Sequence, residues 1–171
     1  MTAPDPAGSS PTLRRVLLAL GALTVVLAVG AVVLAVQLRG YARTDDARAA
    51  ALAAAKQSAL NLTSIDTRDF DADVKRVADT ATGAFLADFQ QRVQDKGFRD
   101  ALTESKVVSE GRIVDAGLVR SDGRNATALV VIDTTVRNTA TPDGRVNPYR
   151  MQLELELQNG RWLTSDLQFV A

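Results

Sequence analysis

The chain has 171 residues with 20 basic and 20 acidic side chains, so its formal net charge is zero and it carries no electrostatic footprint for nucleic acid. It contains neither cysteine nor histidine. Disulfides, thiolate chemistry and metal sites built on Cys or His are therefore excluded, and any acid–base catalysis would have to rest on carboxylates, Lys or Tyr.

The first fifteen residues hold Pro4, Pro6, Pro11, Gly8 and adjacent serines. Such a segment cannot bury a core, so residues 1–15 read as a disordered tail. Residues 16–36 contain no charge, and Thr24 is their one conventionally polar side chain. At about 1.5 Å per residue this run spans roughly 31 Å, which matches a bilayer's hydrocarbon core. Arg14 and Arg15 close one end; Gln37, Arg39 and Tyr41 close the other, as interfacial residues do. A transmembrane helix is expected over residues 16–38. The rival is a signal peptide cleaved near Ala28-Val29-Gly30, but the apolar run continues past that point. Basic residues on the two sides nearly cancel, so charge leaves the orientation open. Within the span, Gly21, Thr24, Ala28, Ala31 and Ala35 fall on one face and form a candidate packing seam for another helix in lipid.

Thr44 followed by Asp45 and Asp46 marks a helix start, and the Ala-rich run carries helix propensity to about Asn61. Residues 39–62 thus read as a juxtamembrane helix leading into a domain at 63–171, with Leu52, Ala55, Ala59 and Leu62 as a narrow apolar stripe. Asp69 or Asp71 can cap a second helix bearing Val74, Val77 and Ala81, and Thr82-Gly83 breaks it. Phe85, Phe89 and Val93 form the next stripe, Gly97 is expected as its C-cap, and residues 100–105 add a last short turn.

After Lys106 the apolar period changes to 2. Strands are expected over 107–120, 125–137, 149–158 and 161–170, separated by Asp122-Gly123, Asp143-Gly144 and Asn159-Gly160. The fold class is α+β: helices packed on a four-stranded antiparallel meander. In the last hairpin, a two-residue turn pairs Leu157 with Trp162 and Leu155 with Thr164, but sets Leu163, Leu167 and Phe169 beside Glu156, Gln152 and Arg150. A three-residue loop instead pairs Leu155–Leu163, Met151–Leu167 and Tyr149–Phe169, keeping one apolar face intact, and is the preferred register. It moves Trp162, the single tryptophan, to the polar face, where it becomes a candidate partner contact.

No residue emerges as catalytic, metal-ligating or cofactor-binding. Asp133, a lone charge between Ile132 and Thr134, reads as a polar-face residue or the partner of a nearby Arg. Asp66, Asp69, Asp71 and Asp73 lack the spacing and central glycine of a calcium loop, and helix capping accounts for them. No phosphate loop, dinucleotide fingerprint or nucleophile elbow is present.

The order of anchor, helices and four strands resembles the helical cone and curved sheet of the NTF2-like fold. Three stretches carry a more specific resemblance to the actinobacterial Mce-associated membrane proteins: ALNLTSIDTRDFDADVKRVADTATGAFLADF at 59–89, ALVVIDTTVRN at 128–138 and YRMQLELELQNGRWLTSDLQFV at 149–170. That resemblance implies a non-enzymatic, single-pass protein of the cytoplasmic membrane, with its tail inside and its domain extracytoplasmic. It also implies association with an Mce-type lipid import system, with Mce transporter subunits or related Mce-associated proteins as partners and no cofactor. Two alternatives share the fold: a small-molecule or lipid-binding cone, and an assembly component of a secretion system.

Overall fold

The computed structural model describes residues 44–170. The expected tail, the span at 16–38 and the seam of Gly21, Thr24, Ala28, Ala31 and Ala35 lie outside the described residues. Among the described residues no helix is long and apolar enough to cross a membrane.

Residues 44–63 are helical (α1) and bury Ala51, Ala55, Ser58 and Ala59 on one face. The buried face thus runs through Ala51 rather than Leu52, which is only half-buried. Small side chains let this helix lie close upon the sheet, where the three alanines join Ala126, Ala128, Val130, Ile132, Met151, Leu153 and Leu155 in the main core.

A single 3-10 turn, Thr67–Asp69, precedes α2 (Phe70–Ala78). Asp66 caps the 3-10 turn, its side chain accepting from the Arg68 N–H; Asp69 occupies the N-cap position of α2, as expected, but makes no side-chain cap bond. The Arg68 side chain and backbone N–H together hold the Asp66 carboxyl down at about 2. Asp73 accepts from the Asp66 N–H at 2.6 Å and pairs with Arg76, and Asp71 pairs with Arg99. Three of the four clustered aspartates are therefore occupied by caps and ion pairs.

Thr82 and Gly83 turn the chain into α3 (Gly83–Gln94), with Gly83 at φ +56°. Gly97 is not the C-cap of α3. Asp95 ends that helix and at once starts α4 (Lys96–Glu104), accepting from the Phe98 N–H at 2.9 Å. Gly97 sits inside α4, which begins well before residue 100, because a capping carboxylate at Asp95 outweighs a glycine two positions later.

The sheet is β1 (Val108–Ser121), β2 (Asn125–Arg137), β3 (Arg145–Gln158) and β4 (Arg161–Phe169), antiparallel in that order. Strand β3 starts four residues earlier than expected and includes Pro148. Pairing with β4 reaches no further than Met151, so the missing N–H of Pro148 costs no ladder bond there. Asp133 lies opposite Arg112 and forms the expected ion pair at 3.2 Å. On the outward face Arg120, Thr127 and Glu154 are joined across three strands by hydrogen bonds of 2.7–3.2 Å.

The β3–β4 hairpin corrects the preferred register. Asn159 and Gly160 both have positive φ, 50° and 78°, which defines a two-residue turn pairing Leu157 with Trp162 and Leu155 with Thr164. The expected clash of faces is removed by a bulge at Ser165. After it, Leu167 lies opposite Leu153 and Phe169 opposite Met151. Trp162 consequently points to the core side, 9% exposed, in the same cluster as Ala51 and Leu155.

Candidate functional site

Below the alanine-lined half of the sheet the packing changes character. Helix α2 turns Phe70, Asp73, Val74 and Val77 inward at i, i+3, i+4 and i+7, and α3 contributes Phe85, Phe89 and Val93. These form a second apolar cluster around Val77, Phe89 and Val93, distinct from the main core. Between this cluster and the far end of the sheet lies a cavity of about 570 Å³. Its sheet wall includes Ser109, Thr134, Val136, Tyr149, Leu167 and Phe169, and α4 adds Phe98 and Leu102.

The wall is held in place by specific contacts. Phe85 and Phe89 are tilted neighbours with ring centroids 6.3 Å apart, and Tyr149 and Phe169 meet at 5.4 Å across β3 and β4. The guanidinium of Arg99 lies 4.9 Å from the Phe70 ring while pairing with Asp71, which ties α4 to the start of α2. At the β1 side, Thr63 ends α1 by donating its hydroxyl to the Ala59 carbonyl at 2.7 Å, and Ser64 accepts from the Gly111 N–H at 3.0 Å.

Polar groups are few. Asp73 is buried and already engaged by Arg76 and the Asp66 N–H. Thr134 is 3% exposed, and its Oγ1 has no hydrogen-bond partner among the described residues. Asp88 and Arg92 stand one turn apart on the exposed side of α3, and Asp166 stands on β4. Among the described residues no cluster of acidic side chains could hold a metal ion.

Sequence reasoning identified Phe85, Phe89 and Val93 as an apolar stripe but not as one wall of a cavity; it placed Tyr149 and Phe169 only as a strand pair and singled out none of Phe70, Phe98, Thr134 or Arg92. One signal was available: all five phenylalanines fall outside the stretches that build the Ala- and Val-rich core. Trp162, by contrast, is sheltered by its own domain and offers little surface to a partner.

A family model described as uncharacterized protein Rv1363c/MT1408-like matches residues 14–171. The chain belongs to this family. The protein Rv1363c of Mycobacterium tuberculosis (strain ATCC 25618 / H37Rv) is 36% identical over 124 residues, covering 72% of this chain and 47% of the relative. The match therefore spans about half the length of that relative. Among solved structures, an IcmL-like type IV secretion system protein of Legionella pneumophila superposes with TM-score 0.60 at 12% identity, covering 72% of this chain and 91% of that one. The periplasmic domain of DotI gives TM-score 0.58 at 12% identity over 70% and 91% of the two chains. A periplasmic fragment of TraM gives 0.54 at 13% over 70% and 93%. These likenesses establish the shared α+β arrangement of helices on an antiparallel sheet.

Proposed function

We propose that this member of the Rv1363c/MT1408-like family is a non-enzymatic, membrane-anchored assembly component of a multiprotein envelope complex, with the domain beyond residue 44 on the extracytoplasmic side. The observation that carries the reading is the fold: almost the whole length of an IcmL-like type IV secretion system protein, of the periplasmic domain of DotI and of a periplasmic fragment of TraM is covered by the likeness to this chain. A chain without histidine or cysteine, whose buried Asp73 is committed to an ion pair, supports a scaffold rather than an enzyme. Exposed apolar side chains along the β1–β2 side of the sheet supply a surface for protein contact: Val114 and Val119 at the two β1 bulges, and Leu129 opposite Gly117. Docking onto an Mce-type import system is a finer version of the same reading, and it rests on the likeness of the stretches at 59–89, 128–138 and 149–170.

The test is co-purification of the full chain from gently solubilised membranes, comparing the native protein with a Val119→Asp, Leu129→Asp double variant at matched abundance. A defined set of envelope proteins should accompany the native chain and be depleted from the variant. Recovery of the native chain alone, or an unchanged set from the variant, would sink the proposal.

A further inference from the structure

Every phenylalanine in the chain, five in all, lines this cavity, and Tyr149 joins them. The main core, in contrast, is built from alanine, valine, leucine, isoleucine and methionine with a single tryptophan. The aromatic side chains of this domain are thus spent around a space rather than within a packed interior, where voids larger than a water molecule are few. The lining also continues outward: Phe98, Tyr149 and Phe169 are 37%, 36% and 61% exposed, so apolar surface runs from the interior to solvent. A volume of about 570 Å³ lies within the range of sites that take one small molecule.

The polar groups define the other end of the ligand. Asp88 and Arg92 on α3 make no ion pair or hydrogen bond through their side chains among the described residues, whereas the Asp166 side chain shares the outward face with Glu154 and accepts from Gln168. An anionic end group would meet the Asp88 carboxylate, and a cationic one would meet Arg92. An uncharged or zwitterionic group suits this mixed rim. Deeper in the wall, the buried Thr134 hydroxyl has no hydrogen-bond partner among the described residues and leaves one polar group open to a ligand.

We propose that the cavity binds a single-chain amphiphile, its apolar chain among the phenylalanines and its uncharged or zwitterionic end at Asp88 and Arg92. The volume suits one chain and not a two-chain lipid. This site goes beyond the assembly reading and stands or falls separately from it.

The experiment uses the full chain in its own membranes, with two photoactivatable probes carrying a diazirine in the acyl chain: a lysophosphatidylcholine and the corresponding free fatty acid. The lysolipid should label peptides from α2, α3 and the ends of β3 and β4. Val74→Trp and Val136→Trp, each filling the cavity from a different wall, should each lower that labelling roughly tenfold, the effect of excluding about two methylenes from burial. Labelling at 16–38 should not change. A variant that loses the native proteolysis pattern is set aside, and the native adduct map then decides alone. Adducts confined to residues 16–38, or cavity labelling unchanged in both folded variants, would overturn the site. Stronger cavity labelling by the fatty acid would overturn the assignment of the polar end.

Discussion

Replacing Gly111 with alanine should destabilise the domain more than any other single-methyl addition in the sheet. Gly111 lies on the inward face of β1, opposite Thr134, at the point where α1 ends against the sheet. A Cβ built there would sit 2.1 Å from Thr63 Oγ1 and 2.9 Å from Ile132 Cδ1. Neither neighbour can move cheaply. Ile132 is fully buried, and the Thr63 hydroxyl is bonded to the Ala59 carbonyl at 2.7 Å. Overpacking of this kind costs about 1–3 kcal/mol, and loss of the threonine hydrogen bond adds about 1 kcal/mol. A domain of this size should lose roughly 3–5 °C of Tm per kcal/mol, so the midpoint should fall by about 6–20 °C.

The control is Gly117→Ala, where the added Cβ meets nothing within 4 Å. It should be neutral or mildly stabilising, within about 1 kcal/mol. Unfolding of the full chain is followed through the emission of Trp162, the single tryptophan, which lies in the core that α1 covers. Thr63→Ala should rescue part of the loss in the Gly111→Ala background, giving a favourable coupling of at least about 1 kcal/mol. If Gly111→Ala unfolds at the same midpoint as Gly117→Ala, α1 does not close on β1 as described and the reasoning is wrong.

Two further predictions follow from the turns and the core. The Asp122 carboxyl is held down at about 2 by the backbone N–H groups of Asn125 and Arg124, and Asp66 is held at about 2 by Arg68. Since both folded values lie below the ordinary value of 3.8, their contribution is full above about pH 4 and is lost as pH falls towards 2. Asp122→Asn keeps an acceptor for the turn but cannot titrate, so the acid limb of stability against pH should become shallower by one proton's contribution; an unchanged slope would remove Asp122 from the account. The emission of Trp162 should be blue-shifted and resistant to an aqueous quencher, and a red-shifted, readily quenched spectrum would restore the polar-face register.

What the sequence made legible follows from how local each signal is. The strand at 125–137 and the turns at Asp122-Gly123, Asp143-Gly144 and Asn159-Gly160 emerge correctly because they depend on alternation and on residues that tolerate positive φ; Gly123, Gly144 and Gly160 have φ of 88°, 87° and 78°. The β3–β4 register failed for a definable reason. Apolar alternation argued for three loop residues and turn chemistry argued for two. Turn chemistry was right; the three-residue register holds nowhere, and alternation was right only in placing Leu167 and Phe169 on the apolar face, which the extra residue Ser165 achieves by switching the face midway. A bulge of that kind is written in tertiary packing and has no composition of its own. The cavity was illegible for a related reason. Phe89 and Val93 read as an ordinary apolar stripe, and a stripe says which face of a helix turns inward without saying what stands opposite. What stands opposite is set by α1, whose alanines draw the helix onto one half of the sheet. The bulkier Phe70, Phe85 and Phe89 stand over the other half. The contrast between an alanine face and a phenylalanine face is visible in the sequence once both helices are known to share one sheet, and only the topology supplies that fact.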